Sequence, residues 1–230
     1  MSACPEVSTS VTNRHNDAGA AIVAAIYKGT RGGELLTADV GLNRRKEKEG
    51  IPQQLHLRQK IPRESLPSTM PDTLKEQLAQ QSIPDVLLYK YDTETCTRHY
   101  TIVELKYCRD TKTADQEARA TTQHQQLKRT LLAADPGAQV LYCTLMLGVS
   151  GTIYNNFIRH MTRDLGVTGQ LLDTLLRRLH HLAIQNLGKV WRQRRALLNK
   201  VLGLKPARRC GYKRTAGTTP CHRKTKKMKV

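Results

Sequence analysis

Three segments between residues 85 and 147 leave this chain little choice of fold. DVLLYKY (85–91) and HYTIVELKYC (99–108) are rich in aliphatic, aromatic and β-branched residues, the composition of strands. AQVLYCTLML (138–147) is almost wholly apolar, as expected of a strand covered on both faces. Seven polar or turn-compatible residues, DTETCTR (92–98), join the first two segments into an expected β-hairpin. Residues 113–134, dominated by Ala, Gln, Leu and Arg, read as one helix stopped by Asp135-Pro136-Gly137. Further helices are expected at 13–28, where Ala21, Ile22, Ala25 and Ile26 share a face, and at 152–166 after the turn Gly148–Gly151. The order helix, strands, helix, strand, helix predicts an α/β sandwich with the last strand central.

Residues 29–82 are less regular. Five glycines, four prolines and the charge run RRKEKEG break the pattern. A strand at 54–61, with Leu55 and Leu57 on one side, and a short helix at 72–81 are the elements expected there.

Charge divides the chain more sharply than composition does. The net charge is +19, yet residues 1–173 carry only +2 of it. After Asp173 come 17 Lys or Arg and no acid. A nearly neutral body of α/β type is thus followed by a basic quarter, and a polyanion partner is implied, nucleic acid before others. The bland alternative is a solubilising or localising tail. In residues 170–204 the positions Leu172, Leu175, Leu176, Leu179, Leu182, Ala183, Leu187, Val190 and Trp191 fall at helical spacing, continued by Leu198 and Val201. That stripe reads as core or a partner contact. Arg177, Arg178, Lys189, Arg192, Arg194 and Arg195 line the other surface and suit a phosphate backbone. The expected organisation is a remnant or linker at 1–12, the α/β domain at 13–168, a basic amphipathic helical extension at 169–204 and a disordered basic tail at 205–230.

No apolar run approaches the length of a bilayer span, so no membrane partner is expected. The opening MSACPEVSTS has no charged start and no apolar stretch, so no secretory signal is expected. Six Cys without a CxxC pair argue against a disulfide framework and a complete zinc module, and fit a reducing compartment. Cys210, Cys221 and His222 lack a fourth ligand nearby and read as chance. Lys213-Arg214, a ten-residue spacer, and then Thr225-Lys226-Lys227-Met228-Lys229 fit a bipartite nuclear import pattern, so a nuclear location is expected. Nothing calls for a small-molecule cofactor.

The chemistry-bearing pattern lies on the hairpin. Pro84-Asp85 opens the first strand and Glu104-Leu105-Lys106 lies within the second. Residues two apart on a strand share a face, so Glu104 and Lys106 project together and Leu105 points the other way. The hairpin folds Asp85 back toward Glu104. Two carboxylates and an ammonium then meet at one end of the sheet. Carboxylate oxygens suit Mg²⁺ or Mn²⁺, and such an ion with a lysine suits phosphodiester hydrolysis. The bland alternative is a surface Glu–Lys pair on a half-exposed strand. Pro71-Asp72 and Asp110-Thr111-Lys112 are similar by composition but fall on an expected helix and a polar loop.

IPDVLLYKY…TIVELK resembles the PD-(D/E)xK signature of restriction-endonuclease-like nucleases. The wider order is more particular: Arg14-His15-Asn16 opening a helix, the hairpin about 70 residues later, the long helix, then a strand ending LGVSG (147–151). This resembles the endonuclease region at the C-terminal end of reverse transcriptases of site-specific non-LTR retrotransposons, over about residues 4–166. The resemblance implies a restriction-endonuclease-like mixed sheet flanked by helices, and nicking of DNA to prime reverse transcription, with DNA as partner and the element's RNA as a second. It implies Asp85 and Glu104 as metal ligands and Lys106 as the group that orients water or meets charge on the phosphate. It also makes Cys4 the last trace of a Cys/His knuckle. The family's Lys-Tyr pair in the following helix corresponds to Gln123-His124, so Gln123 joins the site residues. His124 reads on its own as an exposed polar residue of a helix. Arg14-His15-Asn16 carries a structural role or a DNA contact and no catalytic one. Two other readings stay open: a decayed module that binds nucleic acid without cutting, and a cellular nuclease of the same type in repair or recombination.

Overall fold

The computed structural model of the chain describes residues 5–30, 33–39, 50–51, 68, 70–73, 75–76, 84–108 and 113–203. The expected strand at 54–61, Cys4, the tail 205–230 and its import residues Lys213, Arg214, Lys226, Lys227 and Lys229 lie outside these residues. Of the expected helix at 72–81, Asp72, Thr73, Lys75 and Glu76 are described and helical. The chain divides into two compact units, Met1–Arg194 and Arg195–Val230. Of the second, residues 195–203 are described, and 195–201 are helical.

The first unit is a mixed α/β layer structure. A four-stranded sheet has the order β1-β2-β3-β4, formed by β1 (Glu34–Ala38), β2 (Val86–Asp92), β3 (Thr97–Cys108) and β4 (Gln139–Gly148). β1–β2 and β2–β3 are antiparallel, whereas β3–β4 is parallel. Two helices, α2 (Thr113–Gln123) and α3 (Gln125–Ala134), make the crossover that a parallel pair requires. Among the described residues, besides the helical positions 72, 73, 75 and 76, the other helices are α1 (Pro5–Gly29), α4 (Asn155–Arg159), running on into a π-helical turn His160–Asp164, and α5 (Gly169–Val201).

Period-two alternation sorts the strand side chains into two cores. Val86, Leu88, Val103, Leu105, Cys143, Leu145 and Leu147 face a layer holding Ile22 and Ile26 of α1, Phe157 and Met161, and Leu175, Leu179 and Leu182 of α5. Leu87, Tyr89, Tyr100 and Ile102 face Leu127 and Leu131 of α3. A fully buried aromatic or branched side chain such as Phe157 or Ile102 contributes about 1.5–3 kcal/mol relative to exposure.

Several sequence expectations need correction. Among the described residues β4 lies at the edge of this sheet, with β3 as its strand partner, and not in the centre. From Cys143 to Gly148 both its faces are buried, whereas Gln139 and Leu141 are exposed, and an apolar run says nothing about neighbours on both sides. The hairpin loop is four residues, 93–96, rather than 92–98. Asp92 draws the turn tight, its Oδ1 accepting the N–H groups of Glu94 at 2.9 Å and Thr95 at 3.4 Å. α1 begins at Pro5, eight residues before the expected start, and runs through most of the segment read as linker. Proline is well placed in a first helical turn, and nothing from 6 to 12 breaks a helix. The helix read as 113–134 is broken at His124 into α2 and α3.

The apolar stripe of α5 also divides. Leu175, Leu179 and Leu182 are buried, but Leu187, Trp191, Leu198 and Val201 are exposed. At 3.6 residues per turn Leu187 lies about 140° and Trp191 about 180° round the helix from Leu182. The spacing is helical without being one face.

Gly151 sets the approach of α5 to the turn after β4. Its φ is +101°, and a Cβ there would stand 2.8 Å from the Cβ of Ala183. Gly151→Ala is expected to lower the unfolding free energy by more than about 1 kcal/mol, read from urea denaturation. An unchanged midpoint would mean that this contact is loose in solution.

Candidate active site

β2 stops where β3 continues. The last β2–β3 pair is Val86 with Val103, while β3 runs on beside β4 to Cys108. Asp85 lies one residue before β2, and so opposite Glu104, the first β3 residue without a β2 partner. Glu104 and Lys106 share the face toward α2 and α3, and Leu105 is buried in the opposite core. This is the placement that the alternation of the hairpin predicts.

The side chains converge into one hydrogen-bonded cluster. Lys106 Nζ donates to Glu104 Oε1 at 2.6 Å and to Gln123 Oε1 at 2.7 Å. His124 Nε2 lies 2.9 Å from Glu104 Oε2. The backbone N–H of Leu105 donates to Asp85 Oδ2 at 2.7 Å, and His15 Nε2 lies 3.1 Å from Asp85 Oδ1. The backbone N–H of Asp85 donates to Glu104 Oε2 at 3.5 Å, which ties the start of β2 to the Glu104 carboxylate. Asp85, Glu104, Lys106 and Gln123 are thus brought to one place, as the sequence reading requires.

Two histidines exceed what was expected of them. His124 is 5% exposed, not a solvated helix residue. The helix break puts its backbone at φ −109°, ψ 15°, with no side-chain cap on α3, because the ring is spent on Glu104. Its signal was the Gln123-His124 pair itself, whose position is legible and whose burial is not. His15 reaches Asp85 from α1 across 70 residues of sequence, and no local pattern announces that contact. Arg14 beside it has a structural role. Its guanidinium stacks 4.2 Å from the Tyr107 ring centre and donates to the Val149 carbonyl at 3.2 Å.

The electrostatics follow from this packing. Burial pushes the Glu104 carboxyl up, but hydrogen bonds from His124 and Lys106 outweigh it and hold the group at about 2. Glu104 is therefore a carboxylate at neutral pH, the form a cation requires. Burial alone would lower the His15 pKa, yet the hydrogen bond and charge of Asp85 raise it. Each carboxylate oxygen has one close donor and retains a second lone-pair site, so the donor set fits a hard divalent cation bound by oxygen.

His124→Ala leaves a buried oxygen of Glu104 without its main donor. An unfolding free energy lower by about 1–3 kcal/mol is expected, with partial recovery in His124→Gln. Equal stability of all three proteins in urea would remove His124 from the cluster.

A second group of ligand-type side chains stands apart from the first. Sγ of Cys143, a ring nitrogen of His160 and a carboxylate oxygen of Asp164 lie within 4.8 Å of one another, a possible metal-binding group. A cleft of about 480 Å³, lined by Lys90, Asp92, His99, Arg163 and Asp164 among others, opens beside it and includes none of Asp85, Glu104 and Lys106.

On α5, Arg177, Lys189, Arg192 and Arg194 are exposed and Arg178 is half-buried. Arg177, Arg178, Lys189 and Arg192 fall within about 120° of the helix circumference, whereas Arg194 lies about 140° beyond Lys189. The basic surface read from the sequence thus narrows to four of these five positions. Arg195 belongs to the second unit and is exposed. Among the described residues no helix is long and apolar enough to cross a membrane.

No protein-family model matches the sequence, and no curated protein matches it at a significant level.

Proposed function

We propose that this chain is a Mg²⁺-dependent endodeoxyribonuclease of the restriction-endonuclease-like type, acting as the nicking domain of a non-LTR retrotransposon that primes reverse transcription at its target. The observation that carries the reading is the meeting of Asp85, Glu104 and Lys106 in one cluster, closed by Gln123 from the next helix. The order of elements supports it as well: the Arg14-His15-Asn16 helix, the hairpin, the helical crossover and the parallel strand.

Asp85 and Glu104 would hold the cation. When bound there, Mg²⁺ supplies charge for the scissile phosphate and a more acidic water. The rest falls to the chain's own groups. Lys106, held between Glu104 and Gln123, presents an ammonium to the phosphate oxygens as charge develops. Leu105 N–H and His15 fix the orientation of Asp85. The basic flank of α5 adds affinity for the DNA backbone without sequence readout. The substrate places the protein in the nucleus, with the element's RNA as a second partner.

One set of observations favours a second reading, a domain that binds nucleic acid without cutting. Every carboxylate oxygen already has a donor within 3.1 Å, and Gln123-His124 replaces the Lys-Tyr pair of the family it resembles. A cation must then compete with Lys106 and His124. A cellular nuclease in repair or recombination shares the proposed chemistry and differs only in substrate.

Nicking of supercoiled plasmid with Mg²⁺ or Mn²⁺, with duplex binding followed in parallel at two salt concentrations, tests the proposal. Metal-dependent nicking is expected. Salt-sensitive binding with no nicking in either metal would transfer the assignment to the binding module.

A further inference from the structure

We propose that Cys143, His160 and Asp164 bind one Zn²⁺, a site separate from the Asp85–Glu104 cluster and independent of the nuclease reading. Cys143 lies on β4, paired with Val103, and points into the core opposite to the one that Glu104 faces. It is fully buried. His160 and Asp164 are the first and last residues of the π-helical turn after α4. That turn is closed by Leu165 N–H donating to the His160 carbonyl at 3.0 Å, five residues back. The wider turn places the two side chains together over β4, and single π-helical turns recur at functional sites.

The geometry is close to that of a tetrahedral ion. With bonds of about 2.0–2.3 Å, neighbouring ligand atoms of a tetrahedral zinc stand about 3.3–3.6 Å apart. Here Cys143 Sγ lies 3.7 Å from Asp164 Oδ2, and His160 Nδ1 lies 2.6 Å from the same oxygen. Insertion of an ion needs His160 Nδ1 and Asp164 Oδ2 to part by less than about 1 Å, and the Cys143 and His160 ligand atoms already lie within 4.8 Å of each other. Both groups sit toward the surface, with side chains 13% and 26% exposed, and Asp164 lines the adjacent cleft, which gives an ion a route in.

The donor set selects the metal. A thiolate, an imidazole and a carboxylate suit zinc, whereas Mg²⁺ prefers oxygen alone. A thiolate and a carboxylate together carry two negative charges, which match a divalent ion. Three protein ligands leave a fourth position for water or an incoming group. The opposing cost is the thiol proton, since burial and Asp164 push the Cys143 pKa up and the metal must displace that proton. The ligands come from positions 143, 160 and 164, so no paired-cysteine spacing betrays them in the sequence.

The bound ion would pin the π-helical turn to β4. The test is Co²⁺ titration of the metal-free full chain, with Zn²⁺ as competitor. A sulfur-to-cobalt charge-transfer band that saturates near one equivalent and is displaced by Zn²⁺ is expected. The band should vanish in Cys143→Ser and persist in the double variant Cys210→Ser/Cys221→Ser, which removes the tail thiols. Asp164→Asn and His160→Gln, which keep the thiol, should each weaken Zn²⁺ binding about a hundredfold or more and abolish the rise in Tm that Zn²⁺ gives the native chain. If Cys143→Ser loses its native circular dichroism, these two variants decide. A band that survives Cys143→Ser, or Zn²⁺ affinity unmoved by Asp164→Asn and His160→Gln, overturns the proposal, as does the absence of any band.

Discussion

Asp85→Asn and Lys106→Ala are each expected to cut plasmid nicking by about 10²–10³-fold or more while duplex binding stays within a factor of a few. The asparagine is the informative choice at position 85. Its amide oxygen still accepts the Leu105 N–H, the 2.7 Å bond that anchors the residue to β3. What it loses is the negative charge. A fall in rate therefore reports the loss of a cation ligand and not a collapsed strand end. Lys106→Ala removes the ammonium from Glu104 Oε1 and Gln123 Oε1, but His124 still serves Glu104 Oε2. Stability should fall by about 1–3 kcal/mol, since the variant leaves Oε1 of the Glu104 side chain, 6% exposed, without its donor. The rate should drop more, because an ammonium aimed at developing charge acts chiefly in the transition state. Steady-state nicking by both variants beside the native chain gives the answer, with urea unfolding as control. Nicking by Asp85→Asn within about threefold of native would remove the cluster from the chemistry and place any cleavage elsewhere.

The contrast between Glu104 and His15 shows how far the sequence could be read. Glu104, Lys106 and Asp85 belong to one hairpin, where period two and antiparallel return fix which side chains meet. A local rule therefore suffices, even though the loop proved shorter than expected. His15 meets Asp85 only because α1 packs on the sheet, a consequence of burying Ile22 and Ile26 that no window of sequence contains. His124 stands between these cases. The Ala- and Gln-rich stretch 113–134 favours an unbroken helix, and the break arises where a buried carboxylate draws the ring inward. The same limit governs β4. Hydrophobicity along a strand reports buried faces, while edge position depends on which strands pair with it, and among the described residues that strand is β3. On α5, a list of apolar positions at helical spacing concealed a turn of the stripe away from the core after Asn186.

Affinity for duplex DNA should fall by about 10³–10⁵ between 50 and 200 mM salt if six to ten phosphates are neutralised, which the 17 cations after Asp173 make reachable. The geometry of α5 makes a sharper forecast. Arg177, Lys189 and Arg192 lie on one flank of the helix and are exposed. The Lys189 side chain is 51% exposed, with the Asp17 carboxylate 4.0 Å away and the Asn186 amide oxygen at 3.3 Å, both weak competitors for a phosphate. The triple variant to Gln at these positions keeps helix propensity close to native and removes three charges. If each cation meets a phosphate, the slope of log affinity against log salt should become shallower by about 2.7, so the variant loses about fortyfold less affinity than the native chain over that salt range. Arg194→Gln, on the far side of the helix, should leave the slope unchanged. The comparison separates a directed backbone contact from diffuse attraction by net charge, since a diffuse field would respond alike to all four positions. Equal slopes for the native chain and the triple variant would leave α5 as a packing element and shift nucleic-acid affinity to the residues after 203.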